Sequence, residues 1–128
     1  MAPVFQLYRF WGEGGVWWRL LSANGRGLAR SAESYPTAAY ARVGLARVLA
    51  DADSLELGVR LTAEHRWHWS LRLAGTVLVE GVGTQDRRAR CVGTGRAFQV
   101  VAAGAPVEAD VAVFRRPGQR PVELGPAR

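Results

Sequence analysis

A chain of 128 residues, 48% of them hydrophobic, is the size of one compact domain and carries enough apolar material for a single core, which excludes a wholly disordered chain. Its longest apolar run, Val100 to Pro106, is far short of the roughly 20 residues that a bilayer-spanning helix needs, and Met1 to Phe10 has no charged-then-apolar leader, so a soluble cytoplasmic protein with no membrane partner is expected. The basic residues are all arginine and the formal net charge is +6, so electrostatics favours phosphate polyanions and acidic proteins as partners.

Val4 to Phe10 alternates and is rich in aromatic and aliphatic residues, which predicts a first strand, and Gly12 to Gly15 supplies a loose hairpin connection. From Val16 to Ser22 a period of two sets Val16, Trp18, Leu20 and Ser22 on one face and Trp17, Arg19 and Leu21 on the other. The first face is expected to point at the core. Asn24-Gly25 is the strongest turn signal and predicts a type I′ hairpin, because both residue types accept positive φ. Arg26 to Ser31 returns as a third strand. Thr37 then caps a predicted helix from Ala38 to about Ala52, with Ala38, Ala41, Leu45, Val48 and Ala52 on one stripe. Arg42 and Arg47 fall outside the stripe, and Arg47 is placed to pair with Asp51 one turn later. Gly44 interrupts this helix at a cost of about 1 kcal/mol relative to Ala, which a close helix-to-sheet contact would explain.

Leu55, Leu57, Val59 and Leu61 alternate as a further strand, Thr62 to His65 turns, and Arg66 to Leu73 returns with Trp67, Trp69, Leu71 and Leu73 inward. Ala74-Gly75 makes the next turn and Thr76 to Val82 the next strand. A second helix is expected from about Arg87 to Val101, capped by Asp86 or Thr84 and weakened by Gly93 and Gly95. After Gly104-Ala105-Pro106, a last strand is read over Ala109 to Arg115. Residues 116–128, with Pro117, Pro121 and Pro126 among polar residues, read as a flexible tail.

Val16-Trp17-Trp18-Arg19-Leu20 is thus echoed about fifty residues later by Trp67-His68-Trp69-Ser70-Leu71. Lining up the helices pairs Val43-Gly44 with Val92-Gly93 and Arg47 with Arg96. Residues 1–115 then form a single domain of two repeats, about 4–53 and 54–115, each too small to bury an adequate core without the other.

These residues resemble the YegP-like, UPF0339-type domains of bacteria and archaea, a family of unknown function that occurs as tandem duplications. The resemblance is carried in the first copy by Phe5, Leu7 and Tyr8, Trp18 and Leu20, Ala23-Asn24-Gly25, Ser31, Tyr35, Ala41 and Gly44-Leu45. The second copy keeps Trp67, Trp69, Leu71 and Ala74, whereas Gly75 stands for the Asn, Gly81 or Val82 for the Ser, and Thr84 or Gln85 for the Tyr. The resemblance implies an α+β fold of two three-strand/helix/strand repeats that share one antiparallel sheet, exchange their final strands and carry the helices on one face. It implies a monomer with internal pseudo-twofold symmetry. It brings no reaction, cofactor or catalytic residues.

Candidate chemistry is sparse. His65 and His68 are three apart in a hairpin, which sets them on opposite faces of a strand, and no His/Cys/carboxylate cluster has zinc spacing. Gly81-Val82-Gly83-Thr84 and Gly93-Thr94-Gly95-Arg96 lack the lysine and hydroxyl of a phosphate loop and read as turn and packing glycines. Cys91 reads as a small buried hydrophobe, with a thiol acidified by Arg88 and Arg90 as the alternative. With no catalytic set, no metal and no cofactor, the expectation is a non-catalytic binding or interaction module. A nucleic-acid-associated protein is the alternative, using the face that carries Tyr8, Trp17, Arg19 and Arg72 or the cluster Arg87, Arg88 and Arg90 to engage RNA or single-stranded DNA.

Overall fold

The computed structural model describes residues 2–117. Three strands, β1 (Val4–Phe10), β2 (Trp17–Leu21) and β3 (Gly27–Ser31), lead into helix α1 (Ala38–Ala50). A short 3₁₀ turn (Ala52–Ser54) precedes β4 (Glu56–Leu61), β5 (Trp67–Leu73), β6 (Thr76–Gly81), helix α2 (Arg88–Ala102) and β7 (Val107–Phe114). The periodicity of the sequence therefore locates both helices and the seven described strands to within a few residues, and misses the 3₁₀ turn.

All seven strands form one sheet in the order β4-β5-β6-β3-β2-β1-β7. Neighbours run antiparallel except β1 and β7, which are parallel, so the sheet is mixed rather than antiparallel throughout. The first three strands join the next three through β3 and β6, where Ala29 faces Gly81, Arg30 faces Glu80 and Ser31 faces Val79. Nor does each half own a final strand to exchange. The short turn after α1 leaves no length for one, and the chain passes directly into β4. Among the described strands only β7 crosses to the other half, where it runs beside β1.

One face of the sheet carries both helices, and the core lies between them. Phe5, Leu7, Trp18, Leu20, Trp69, Leu71 and Val79 point inward from the strands and meet Ala41, Leu45 and Val48 of α1 and Cys91 and Phe98 of α2. Phe98 ties the halves together, its ring edge-on to Phe5 at 6.3 Å and tilted against Trp69 at 5.6 Å. Trp67 is only partly buried but packs against the same cluster.

Glycine placement differs from the sequence expectation. A Cβ on Gly44 would overlap the ring of Tyr35, so the close contact that favours glycine there is with the segment leading into α1, not with the sheet. In α2 the buried stripe is Cys91, Gly95, Phe98 and Ala102, so Gly95 faces the sheet, where a Cβ would come within 2.6 Å of Leu57 Cδ1. Gly93 looks into open space and is not the structural counterpart of Gly44.

The capping and turn chemistry is likewise partly rearranged. Thr37 Oγ1 accepts from the Tyr40 N–H at 3.2 Å, as its position predicts. At α2, neither Asp86 nor Thr84 caps; Arg87 takes the N-cap position without a side-chain bond. Thr84 Oγ1 instead accepts from Arg66 Nε at 2.7 Å. At Asn24-Gly25 only Gly25 has positive φ, and the Ser22 N–H donates to the Arg26 carbonyl across a wider loop. The type I′ geometry occurs instead at Ala74-Gly75, with φ of 50° and 84°, between the paired residues Leu73 and Thr76. The expected Arg47–Asp51 side-chain pair is not among the ion pairs of the described residues, which are Arg30–Glu80 and Arg116–Glu13.

Arg116 is not loose: it bonds Glu13 at 2.6 Å and lies 3.9 Å over the Phe10 ring, which holds the chain to the body past β7. The rest of the expected tail, 118–128, lies outside the described residues. Among the described residues no helix is long and apolar enough to cross a membrane.

Candidate binding groove

The face of the sheet away from the helices carries a shallow groove of about 570 Å³ that runs obliquely across the strands. One end is aromatic. The parallel pairing of β1 with β7 sets Phe10 opposite Phe114, and Tyr8 meets both rings edge-on at 5.8 and 6.0 Å. The other end is formed by Gly27, His68 and the Gly81-Val82-Gly83-Thr84 segment that leaves β6. Gly81 is glycine for the other face of the sheet, where a Cβ would overlap the Trp69 indole. A carbonyl oxygen only accepts, so His68 Nε2, 2.9 Å from the Gly81 carbonyl, carries the proton that it donates.

Between these ends stand Arg19 and Arg30, directly opposite one another on β2 and β3. Like charges in that relation repel. Each is held by a different device. Arg19 donates from Nε and Nη2 to Gln6 Oε1 at 2.9 and 2.6 Å, and its guanidinium lies 5.1 Å over Tyr8 and 4.8 Å over Phe114. Arg30 reaches Glu80 at 3.3 Å and lies 5.6 Å over the Trp17 ring. Of the two guanidinium groups, only that of Arg30 has a carboxylate partner among the ion pairs of the described residues.

The sequence-proposed residues are not gathered into one site. Arg19 and Tyr8 line the groove, but Tyr8 is only 7% exposed and serves as its floor rather than as an open platform. Trp17 is half-buried beside Tyr8, under Arg30, and outside the lining. Arg72 is on the same face but further along β5, opposite Glu56. Arg87, Arg88 and Arg90 are exposed at the start of α2, whose first turn holds no acidic residue. Their charge opposes the positive end of the helix dipole and makes no part of the groove. Arg30, Phe10 and Phe114 were missed as site residues. Strand alternation in β3 would have found Arg30; nothing local to β1 or β7 announces their parallel pairing.

Two other titratable features are structural. Cys91 has no exposed surface; burial pushes its thiol up, outweighing the nearby Arg88, which pulls it down. That is the inert arrangement, not an activated nucleophile. The hydrogen bond from Arg116 holds the Glu13 carboxyl below its ordinary range at the surface. Among the described residues no three His, Cys, Asp or Glu side chains are grouped to hold a metal ion.

No family model and no curated protein matches the chain. Solved structures do. The solution structure of the protein of unknown function yegP from E. coli aligns over 87% of this chain and 95% of its own, with a TM-score of 0.69 at 16% identity. That of UPF0339 protein SO3888 from Shewanella oneidensis aligns over 84% and 91%, with a TM-score of 0.67 at 13% identity. The resemblance noted in the sequence is therefore met in three dimensions, and the chain has the YegP-like, UPF0339-type fold.

Proposed function

We propose that this protein is a non-catalytic binding module that takes an anionic ligand with an apolar or aromatic part in the groove on the helix-free face. The observation that carries this reading is the pair Arg19 and Arg30, opposed at the centre of the groove, with one carboxylate, Glu80, on the far side of Arg30. An incoming anion relieves their repulsion and forms charge-assisted hydrogen bonds. Tyr8, Phe10 and Phe114 offer a wall for an apolar or planar group beside it. The imidazole of the groove, His68, spends its Nε2 hydrogen on the Gly81 carbonyl, an arrangement that suits a binding role. The buried, unactivated Cys91 suits a reducing cytoplasm. We read the two halves as a duplication at an offset of fifty residues, since the buried stripe Ala41, Leu45, Val48, Ala52 recurs as Cys91, Gly95, Phe98, Ala102.

Nitrogen-15-labelled protein titrated with pyrophosphate, adenosine monophosphate and a short single-stranded RNA tests the reading. Amide shifts confined to the groove, lost in Arg19→Gln and Arg30→Gln, are the expected result. No shifts with any probe at low salt would overturn it. Nucleic acid as the ligand has one observation in its favour, the Arg30–Trp17 stack beside Arg19 on the same face. It requires affinity that rises with strand length and falls steeply with salt.

A further inference from the structure

The two edges of the sheet are treated differently. Along β7 the pairing with β1 slips between Phe5↔Val107 and Leu7↔Val111, so Glu108, Ala109 and Asp110 bulge out opposite Gln6 alone. Arg42 of α1 caps that bulge, donating to the carbonyls of Glu108 and Ala109. A bulged, acidic edge with its carbonyls occupied does not accept another strand. At the opposite edge, β4 pairs with β5 in unbroken register from Glu56 to Leu61 and contains no proline.

The backbone of β4 shows which groups are free. The Thr62 N–H donates to the Arg66 carbonyl across the β4–β5 turn, so alternation turns the N–H and C=O of Arg60, Gly58 and Glu56 toward β5. Those of Leu57, Val59 and Leu61 face outward. Leu55, one step earlier, is closed: its N–H bonds the Asp51 carbonyl and its own carbonyl accepts from Gln99. The open window is short and regular.

The side chains flanking Gly58 select what fits there. Glu56 and Arg60 are exposed, lie on the helix-free face either side of Gly58, and form no ion pair among the described residues. We infer that β4 pairs with β4 of a second copy of this chain, antiparallel about Gly58, to give a dimer with a continuous fourteen-stranded sheet, twice the seven of one chain. In that register Leu57 and Val59 exchange backbone hydrogen bonds with Val59 and Leu57 of the second copy. Glu56 then stands opposite Arg60 in a non-hydrogen-bonded pair, the kind that brings side chains closest, and symmetry makes the contact twice. Registers centred on Glu56 or Arg60 set like charges on the dyad, and those centred on Leu57 or Val59 leave Glu56 and Arg60 apart. This inference is independent of the groove and replaces the monomer implied by the duplicated fold.

Sedimentation equilibrium over a concentration series tests it on the full chain. The unaltered protein is expected to dimerise reversibly. Glu56→Arg sets like charges opposite and is expected to weaken dimerisation about tenfold, the scale of two cross-strand pairs reversed in sign. Glu56→Arg with Arg60→Glu restores complementarity and is expected to recover the dimer. Val59→Pro removes an outward N–H that no intrachain bond uses and abolishes dimerisation, with circular dichroism to verify the fold. A monomer at every concentration overturns the inference. So does a dimer indifferent to the Glu56 reversal, which is a surface change and keeps the test valid should Val59→Pro fail to fold.

Discussion

Arg19 stands directly opposite Arg30 on neighbouring strands, and the repulsion is met by Gln6 and two aromatic rings on one side and by Glu80 on the other. Glu80 belongs to β6, so the strand pair that joins the halves of the sheet also pairs one of the two guanidinium groups. Glu80→Gln should therefore destabilise the protein by about 0.5 kcal/mol at low salt, the modest size of a half-exposed pair. Urea midpoints at rising salt should converge with those of the parent, since screening removes both the attraction and the repulsion.

The ring of Tyr35 occupies the place of a Gly44 side chain. Gly44→Ala gains about 1 kcal/mol of helix propensity and meets an overpacking penalty of about 1–3 kcal/mol, so a net loss is expected. On a Tyr35→Ala background the obstruction is gone and the same substitution should stabilise. A double-mutant cycle by urea denaturation measures that change of sign.

Ala74 is held at φ of 50°, a left-handed conformation that costs an L-residue with a Cβ roughly 1 kcal/mol. Ala74→Asn, which accepts the type I′ turn, should raise stability by about 0.5–1 kcal/mol. His65, at φ of 61° in the β4–β5 turn, should respond likewise to His65→Gly. Thermal and urea unfolding of the two variants would check both; a loss at either position contradicts the strain.

Cys91 keeps its proton in the folded state because burial raises its thiol above the unfolded value. The unfolded chain therefore loses that proton first as pH rises. The contribution to stability is complete below the unfolded thiol value and is lost as pH climbs toward the folded one. Stability in alkaline solution should fall less steeply in Cys91→Ala than in the parent, and thiol reagents should label Cys91 only as fast as the helix face opens.

Much of the architecture was legible because its causes are local. Alternation along β2 and β5 placed Trp18 and Trp69 inward, and Thr37 marked the start of α1 through a bond three residues away. Other local readings failed where tertiary contacts intervened, two of them at glycines. Asn24-Gly25 carries the stronger turn signal, yet the tight turn forms at Ala74-Gly75, where the β5–β6 register closes at Leu73 and Thr76. Gly93 and Gly95 are alike in sequence, and only the packing of α2 over Leu57 and Trp69 distinguishes them.

Of the candidate groove, Tyr8 and Arg19 could be read from strand parity, whereas Phe114 could not. It reaches Tyr8 because β7 returns alongside β1, almost a full chain length away.

By itself the sequence determined roughly where helices and strands lie, which side chains of β2 and β5 face inward, and that the chain is strongly basic, because period and charge act over a few residues. Only the tertiary structure decided that the sheet is mixed, that one edge is bulged and the other open, and that Arg19 and Arg30 share a groove with three aromatic rings. Those are consequences of which distant strands lie side by side once a single core is closed, and strand pairing at long sequence separation is selected by the packing of the whole rather than by any local pattern.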